Sequence, residues 1–189
     1  MPTAARESSG IIDFILDLFA SRGAEEYMGE AVSMSQHMEQ SAACAVADGA
    51  PDSLVIAALL HDIGHFIGAH PIEALENGID NVHEEAGADY LAPHFPPAVT
   101  EPIRLHVAAK RYLCATDAEY LGHLSEASLN SLQVQGGPMN STEIEAFEAN
   151  PHHQNAVKLR LYDDDGKVAG LTIKPVSDYR ATMEALLLK

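Results

Sequence analysis

The stretch LVIAALLHDIGHFIG, residues 54 to 68, most constrains the fold, because an apolar run here ends in two histidines and an aspartate. A run that is apolar on every side predicts a helix buried in the core. With about 3.6 residues per turn, His61 and His65 share one face, and Asp62 lies about 100° further round. A core helix therefore brings three side chains suited to metal binding or proton transfer to one place.

Helical periodicity extends along most of the chain. It predicts helices at 11–19, 31–47, 84–91, 98–113, 117–133, 141–149 and 177–188, in addition to the helix of 54–68. Residues 157–161 differ, because Val157, Leu159 and Leu161 alternate with polar residues and predict a strand or extended segment before the turn DDDGK. We therefore expect one all-α domain over residues 1–189, with a short extended segment or hairpin near the C-terminus.

The charge of the chain restricts its partners. With 28 acidic and 11 basic residues, the formal net charge is −17, which disfavours nucleic acid. No apolar run approaches the roughly 18 residues that span a bilayer, and no targeting segment is present, so we expect a cytoplasmic protein without a membrane partner. A small anionic ligand stays possible, because charges beyond about 8 Å are largely screened.

Potential metal ligands recur along several of the expected helices. Six of them follow the order H…HD…H…H…D: His37, His61, Asp62, His83, His106 and Asp163. Imidazole and carboxylate ligands suit iron, manganese, cobalt or zinc, and the two cysteines show no CxxC spacing for a thiolate site. A single histidine beside an apolar face is also a common hydrogen-bonded core residue. The adjacent His-Asp pair within this spread resembles the HD-domain metalloproteins, which implies an HD-type helical bundle.

A narrower resemblance covers nearly the whole chain. The stretches that carry it are YMGEAVSMSQH, LLHDIGH, HEEAGADYL, HVAAKRYL, YLGHLSEAS, QGGPM and RLYDDDGK. They resemble the mixed-valent di-iron oxygenases that cleave carbon–phosphorus bonds in 1-hydroxyphosphonates with O2 as cosubstrate. The resemblance implies Fe(II)/Fe(III) on the six ligands above, with Asp62 as the bridge. Asp163 is chosen over Asp164 and Asp165 because it stands three residues after Arg160.

The same resemblance implies the residues that handle the substrate. The expected phosphonate donors are His65, Lys110, Ser128 and Arg160. Lys110 also follows His106 by four residues, so a helix would place both on one face. Tyr27 would cap an iron position until substrate displaces it, and Glu30 would meet the cationic nitrogen of the substrate. Of these residues, Tyr27, Glu30, His65 and Lys110 are expected to be catalytic.

Several alternatives remain open at this stage. The substrate is either 2-amino-1-hydroxyethylphosphonate or its N-trimethylated relative, and aromatic residues such as Tyr27, Phe66, Tyr90 and Tyr112 slightly favour the trimethylated one. A phosphonate hydroxylase upstream would be a pathway partner without an implied complex. Competing functions are an HD phosphohydrolase acting on a nucleotide or phosphoester, and a metal-stabilised binding or signalling domain. An inositol-oxygenase-like reaction is opposed by Lys110 and Arg160.

Overall fold

The computed structural model describes residues 4–67 and 82–189, with side chains described from residue 10 onward. Ten α-helices occur in these residues, and no strand does. Their bounds are α1 Ala4–Arg22, α2 Met34–Ala47, α3 Asp52–Leu60, α4 Gly64–Ile67, α5 His83–Leu91, α6 Pro97–Thr116, α7 Glu126–Val134, α8 Ser141–Glu148, α9 His153–Asp165 and α10 Arg180–Leu186. Short 3₁₀ turns lie at Tyr120–His123 and Val176–Tyr179. The expected all-α bundle is confirmed.

Helix α3 lies at the centre of the bundle. Every residue from Leu54 to Leu60 is buried, which is the behaviour expected of a helix that is apolar all round. Helices α2, α6 and α9 pack against it, and α2 and α6 each also pack against α9. The four helices that carry most of the expected metal ligands therefore form one compact core.

The helix predicted for 54–68 is interrupted. Helix α3 ends at Leu60, residues 61–63 form a turn, and α4 begins at Gly64. A Cβ atom on Gly64 would lie 1.9 Å from the carbonyl oxygen of His83, so glycine permits the start of α5 to contact α4 directly. The turn and this contact place Asp62 beside a histidine from another helix. Gly68, the last residue of the predicted helix, lies outside the described residues.

The extended segment predicted for 157–161 was wrong. These residues lie inside α9, where Leu159 is buried, Leu161 is exposed and Val157 is half-buried. The buried face of α9 also carries Arg160 and Asp163, so the apolar residues alone do not show the helical period. Residues 167–175, after this helix, form neither helix nor strand.

The remaining predicted helices are confirmed with changed ends. The helix expected at 117–133 is a 3₁₀ turn followed by α7, and the last predicted helix is a 3₁₀ turn followed by α10. The N-cap position of α3 is Pro51, which makes no side-chain capping hydrogen bond. None of the helices in the described part of the chain combines the length and apolar character needed to cross a bilayer.

Candidate metal centre and adjacent anion pocket

Three of the expected histidine ligands are oriented by main-chain carbonyls. His61 and His106 each direct Nδ1 at the carbonyl oxygen three residues earlier in the chain, at 2.8 and 2.7 Å. His37 directs Nδ1 at the carbonyl oxygen of Gly166, at 3.0 Å. A neutral imidazole carries one N–H, and a carbonyl oxygen can only accept. Each of these rings therefore donates from Nδ1 and keeps a lone pair on Nε2, the arrangement typical of a metal ligand.

The first group of ligand atoms joins α2, the turn after α3 and α9. His37 Nε2 lies 3.1 Å from His61 Nε2, and Asp62 Oδ2 lies 3.6 and 3.5 Å from these two atoms. Asp163 Oδ1 lies 3.4 Å from His37 Nε2 and 4.0 Å from His61 Nε2. Two ligands about 2.1 Å from one metal and at right angles to each other are about 3 Å apart. The spacing suits one ion among these atoms.

The second group uses the other oxygen of the same aspartate. Asp62 Oδ1 lies 3.2 Å from His83 Nε2 and 3.6 Å from His106 Nε2, and the two nitrogens are 3.2 Å apart. His65 stacks on the His83 ring at 4.0 Å, with its Nε2 3.9 Å from Asp62 Oδ1. Asp62 therefore faces two clusters at once, each within a span that one metal ion could fill.

The electrostatics of the two groups fit a pair of cations. Asp62 Oδ2 and Asp163 Oδ1 are buried and have no hydrogen-bond donor among the described residues. Burial opposes ionisation of both carboxyls, but the Arg160 guanidinium outweighs it at Asp163 and holds the pKa of that carboxyl well below normal. Burial lowers the pKa of His61, and that of His106 to about 3, so both rings are neutral. Buried carboxylate oxygens that face imidazole lone pairs are compensated well by a cation between them.

Asp163 contacts two cations, one at each carboxylate oxygen. Arg160 Nη1 donates to Asp163 Oδ2 at 2.5 Å, and Lys167 Nζ lies 3.6 Å from Asp163 Oδ1. Asp164 pairs with Arg160, and Asp165 is exposed. Of the three consecutive aspartates, the geometry therefore brings Asp163 into the cluster, while Asp164 fixes the arginine that orients it.

Tyr27 covers the first group of ligands. Its ring stacks on the His37 ring with centroids 4.0 Å apart, and Lys167 Nζ lies 5.8 Å from the centroid of the Tyr27 ring. Burial and the carboxylates of Asp62 and Asp163 raise the pKa of Tyr27 well above its ordinary value. Glu30 belongs to the same segment between α1 and α2, and its Oε1 is buried without a hydrogen-bond partner in the described residues.

Lys110 lies beside the second group, one helical turn after His106. It is 3 % exposed and donates to Ser131 Oγ at 2.7 Å and to Gln135 Oε1 at 2.6 Å. Burial, followed by the charge of Arg160, lowers the pKa of Lys110 to about 7. Lys110 is thus a buried amine whose two hydrogen-bond acceptors are neutral oxygens, and it lines the same cavity as the metal groups.

A small cavity lies between the metal groups and the basic side chains of Lys110 and Arg160. Its volume is about 20 Å³, enough for one water-sized sphere. Its walls include residues of both metal groups and the following side chains: Tyr27, Met28, His65, Val107, Lys110, Ser128, Ser131, Gln135 and Arg160. A larger ligand requires a wall to move, and Tyr27 and Met28 are wall residues that lie outside any helix.

The sequence pattern missed several residues of this site. Ser131 and Gln135 follow Ser128 by three and seven positions, so a helical projection of α7 would have placed them beside the expected phosphonate donor. Tyr120 accepts from Arg160 Nε at 3.0 Å across a gap of forty residues, for which the sequence gives no signal. Lys167 follows Asp163 by four positions, within the stretch DDDGK that was predicted only as a turn.

Comparison with known proteins gives consistent matches. The family described as HD domain matches residues 27–127. The chain is 47% identical over 161 residues to 1-hydroxy-2-(trimethylamino)ethylphosphonate dioxygenase (glycine-betaine-forming) of Leisingera caerulea, covering 85% of this chain and 82% of the relative. It is 43% identical over 174 residues to hydroxymethylphosphonate dioxygenase of Gimesia maris, covering 92% and 86% of the two chains. An uncharacterized protein of Acanthamoeba polyphaga mimivirus is 37% identical over 175 residues, covering 91% and 80%.

Proposed function

Because the chain belongs to the HD-domain family, in the branch that contains the phosphonate dioxygenases, we propose that it uses O2 to cleave the C–P bond of a 1-hydroxyphosphonate. The products are phosphate and the carboxylic acid formed from C1. One O2 accepts four electrons, two from the C–H bond and two from the C–P bond at C1. The reaction therefore balances without another reductant.

The observation that carries this proposal is a shared carboxylate beside a buried amine. Asp62 faces two pairs of histidines, and Lys110 lines the cavity next to them. Two histidines and one carboxylate, with positions left open, form the ligand set of non-haem iron oxygenases. A cation next to such a centre suits a substrate that is anionic at the atom next to the reacting carbon.

We propose that the two ions are iron, held by His37, His61, Asp62, His83, His106 and Asp163. When bound, iron supplies the binding and reduction of O2 that no protein side chain provides. The chain's own contribution is orientation. The main-chain bonds to three imidazoles fix the rings, and Arg160 fixes Asp163.

The residues around the cavity would hold the substrate. We assign Lys110, His65 and Ser128 to the phosphonate oxygens, and Arg160 to the same anion through the N–H that its carboxylate partners leave. Tyr27 would move aside when substrate enters, because the cavity of about 20 Å³ is too small for a hydroxyphosphonate. Glu30, whose buried Oε1 has no hydrogen-bond partner among the described residues, would face the cationic nitrogen.

We propose the trimethylated hydroxyphosphonate as the first substrate to test, with glycine betaine as its product. The 47% identity to a dioxygenase named for that substrate supports this choice over the free amine, which would give glycine. Hydroxymethylphosphonate is the third candidate, from the name of the second relative. The C1 hydroxyl implies a preceding hydroxylation, for which we propose a separate enzyme that forms no stable complex with this one.

Phosphate release tests the function directly. The chain is loaded with Fe(II) and given each of the three hydroxyphosphonates, in air and under argon, with a mixed-valent EPR signal recorded in parallel. We expect phosphate in air and none beyond one turnover under argon. Release of phosphate from a phosphoester under argon with Mn(II) would instead identify a hydrolase. Binding of metal with a rise in melting temperature, but no turnover of any phosphonate, would indicate a binding domain.

A further inference from the structure

The ammonium of Lys110 is held by Ser131 of α7 and by Gln135, the residue that caps the C-terminal end of this helix. Ser131 and Gln135 are four residues apart, and their side-chain oxygens accept from Lys110 Nζ at 2.7 and 2.6 Å. Both residues are buried and line the cavity. Ser131 itself donates to the main-chain oxygen of Ser128 at 3.1 Å, which fixes its hydroxyl with a lone pair toward the lysine. An ammonium has three N–H groups, so one remains for another acceptor.

These partners are unusual because they carry no charge. No carboxylate of the described residues lies within the 4.0 Å ion-pair distance of Lys110. Arg160, the other buried cation of the cavity wall, contacts the carboxylates of both Asp163 and Asp164. A buried cation is ordinarily compensated by a neighbouring anion. The carboxylates of Asp163 and Asp164 attract the Lys110 ammonium only from beyond that distance, so no direct ion pair competes with an occupant of the cavity.

We propose that Ser131 and Gln135 are positioning residues, which hold the Lys110 ammonium with neutral oxygens and so reserve its charge for the phosphonate group. This inference rests on the proposed function. The two acceptors fix two N–H directions, and the third is free for the ligand. An acidic residue at either position would form an internal ion pair and compete with the phosphonate.

Gln135→Glu tests the proposal, because it changes charge with almost no change in shape. The affinity of the iron-loaded protein for orthophosphate is measured by calorimetry in a chloride buffer near pH 6.5, together with kcat and KM for the hydroxyphosphonate. We expect phosphate affinity to fall about tenfold or more and KM to rise by a similar factor, while kcat changes by less than about threefold.

Three further variants make the result specific. Gln133→Glu is the same substitution at an exposed position of the same helix, and its binding should equal that of the wild type. Gln135→Met removes the acceptor without adding charge, and its loss of affinity should be clearly smaller than that of Gln135→Glu. Ser131→Asp places a carboxylate on the other side of the ammonium and should reproduce the Gln135→Glu result. It also provides the measurement if Gln135→Glu does not fold.

Two outcomes would overturn the proposal: unchanged phosphate affinity in the acidic variants, or equal losses in Gln135→Met and Gln135→Glu. The calorimetric measurement and the kinetic measurement together separate this proposal from the proposed function. If the wild type turns over no hydroxyphosphonate, the function fails, but the calorimetric comparison still tests whether neutral partners reserve an anion site. If turnover is normal and the acidic variants bind phosphate like the wild type, only the positioning role fails.

Discussion

The metal groups and the anion side of the cavity are fixed by different kinds of contact. Three ligand imidazoles are oriented by main-chain carbonyls, so their positions follow from how helices α2, α3, α6 and α9 pack. The anion side is the part of the cavity wall around Lys110. There the ammonium of Lys110 is held by the side chains of Ser131 and Gln135. Main-chain contacts persist when a neighbouring side chain is replaced, whereas side-chain contacts do not. We therefore expect the metal groups to be set by the fold, and any preference among anions to depend on a few replaceable residues.

The largest effect should come from breaking the metal side at the residue that joins its two groups. Asp62→Asn removes a charge that faces four histidines, and we expect phosphate release to fall by about a thousandfold or more. That loss exceeds the roughly 10- to 100-fold typical of residues that only orient a ligand. Elemental analysis should show fewer than two metals per chain. Asp165→Asn, at an exposed carboxylate, is the control, and two retained metals in Asp62→Asn would contradict the bridging role.

Substitution of Lys110 and of Arg160 should show whether metal binding and phosphonate binding depend on different residues. Lys110→Met removes a charged donor that would bind phosphonate, so KM should rise by about 10- to 100-fold with metal content unchanged. Arg160→Met frees Asp163, and the metal content should fall as well. Elemental analysis and steady-state kinetics on both variants test this difference. Loss of metal in Lys110→Met would show that the two sides are not independent.

A smaller effect should follow from moving a main-chain contact. A Cβ on Gly166 would lie 2.5 Å from Ser41 Oγ and 3.1 Å from the carbonyl oxygen of His37. Because Gly166 also accepts the His37 ring N–H, Gly166→Ala should weaken metal affinity by about tenfold. Competition with a coloured chelator measures the change. Gly10→Ala, where the added carbon meets nothing within 4 Å, should leave metal affinity unaltered.

The smallest effect should be a pH dependence of the anion side. The pKa of Lys110 is lowered to about 7, so its charge is lost as pH rises through that value. KM for the phosphonate should therefore rise several-fold between about pH 7 and pH 8.5, and Lys110→Met should lack this trend. The unfolded chain keeps a lysine pKa of about 10.4 and binds more protons in this range, so the contribution of Lys110 to stability increases with pH. A KM that falls with pH in the wild type would contradict this assignment.

The clustering of His37, His61, Asp62 and His106 was predictable because these residues lie on, or directly after, helices with a clear apolar face. Around His61 and Asp62 the apolar run is unambiguous, and the helical period places His37 and His106 on buried faces. The break at residues 61–63 was not predictable, since no proline interrupts the run and Gly64 reveals its role only through contact with α5.

The anion side was harder to predict because its buried face is polar. The buried positions of α9 include the polar residues Arg160 and Asp163, whereas Leu161 is exposed. The apolar residues of this helix therefore alternate like those of a strand. Ser131 and Gln135 resemble solvent-facing residues in sequence, and only the packing of α7 against Lys110 shows that they are buried. Hydrophobic periodicity locates cores, but it does not locate the polar face of a pocket.

The Lys110 ammonium, which forms no direct ion pair with any described residue, also has a consequence for handling the protein. Any tetrahedral anion that enters the cavity relieves an electrostatic cost of folding, and a ligand present at 100 times its Kd stabilises the folded state by about 2.7 kcal/mol. Preparations stored in phosphate or sulfate should therefore melt at higher temperature than those in chloride. The same anions would occupy the place of the substrate, so the buffers that best preserve the enzyme would also conceal its activity.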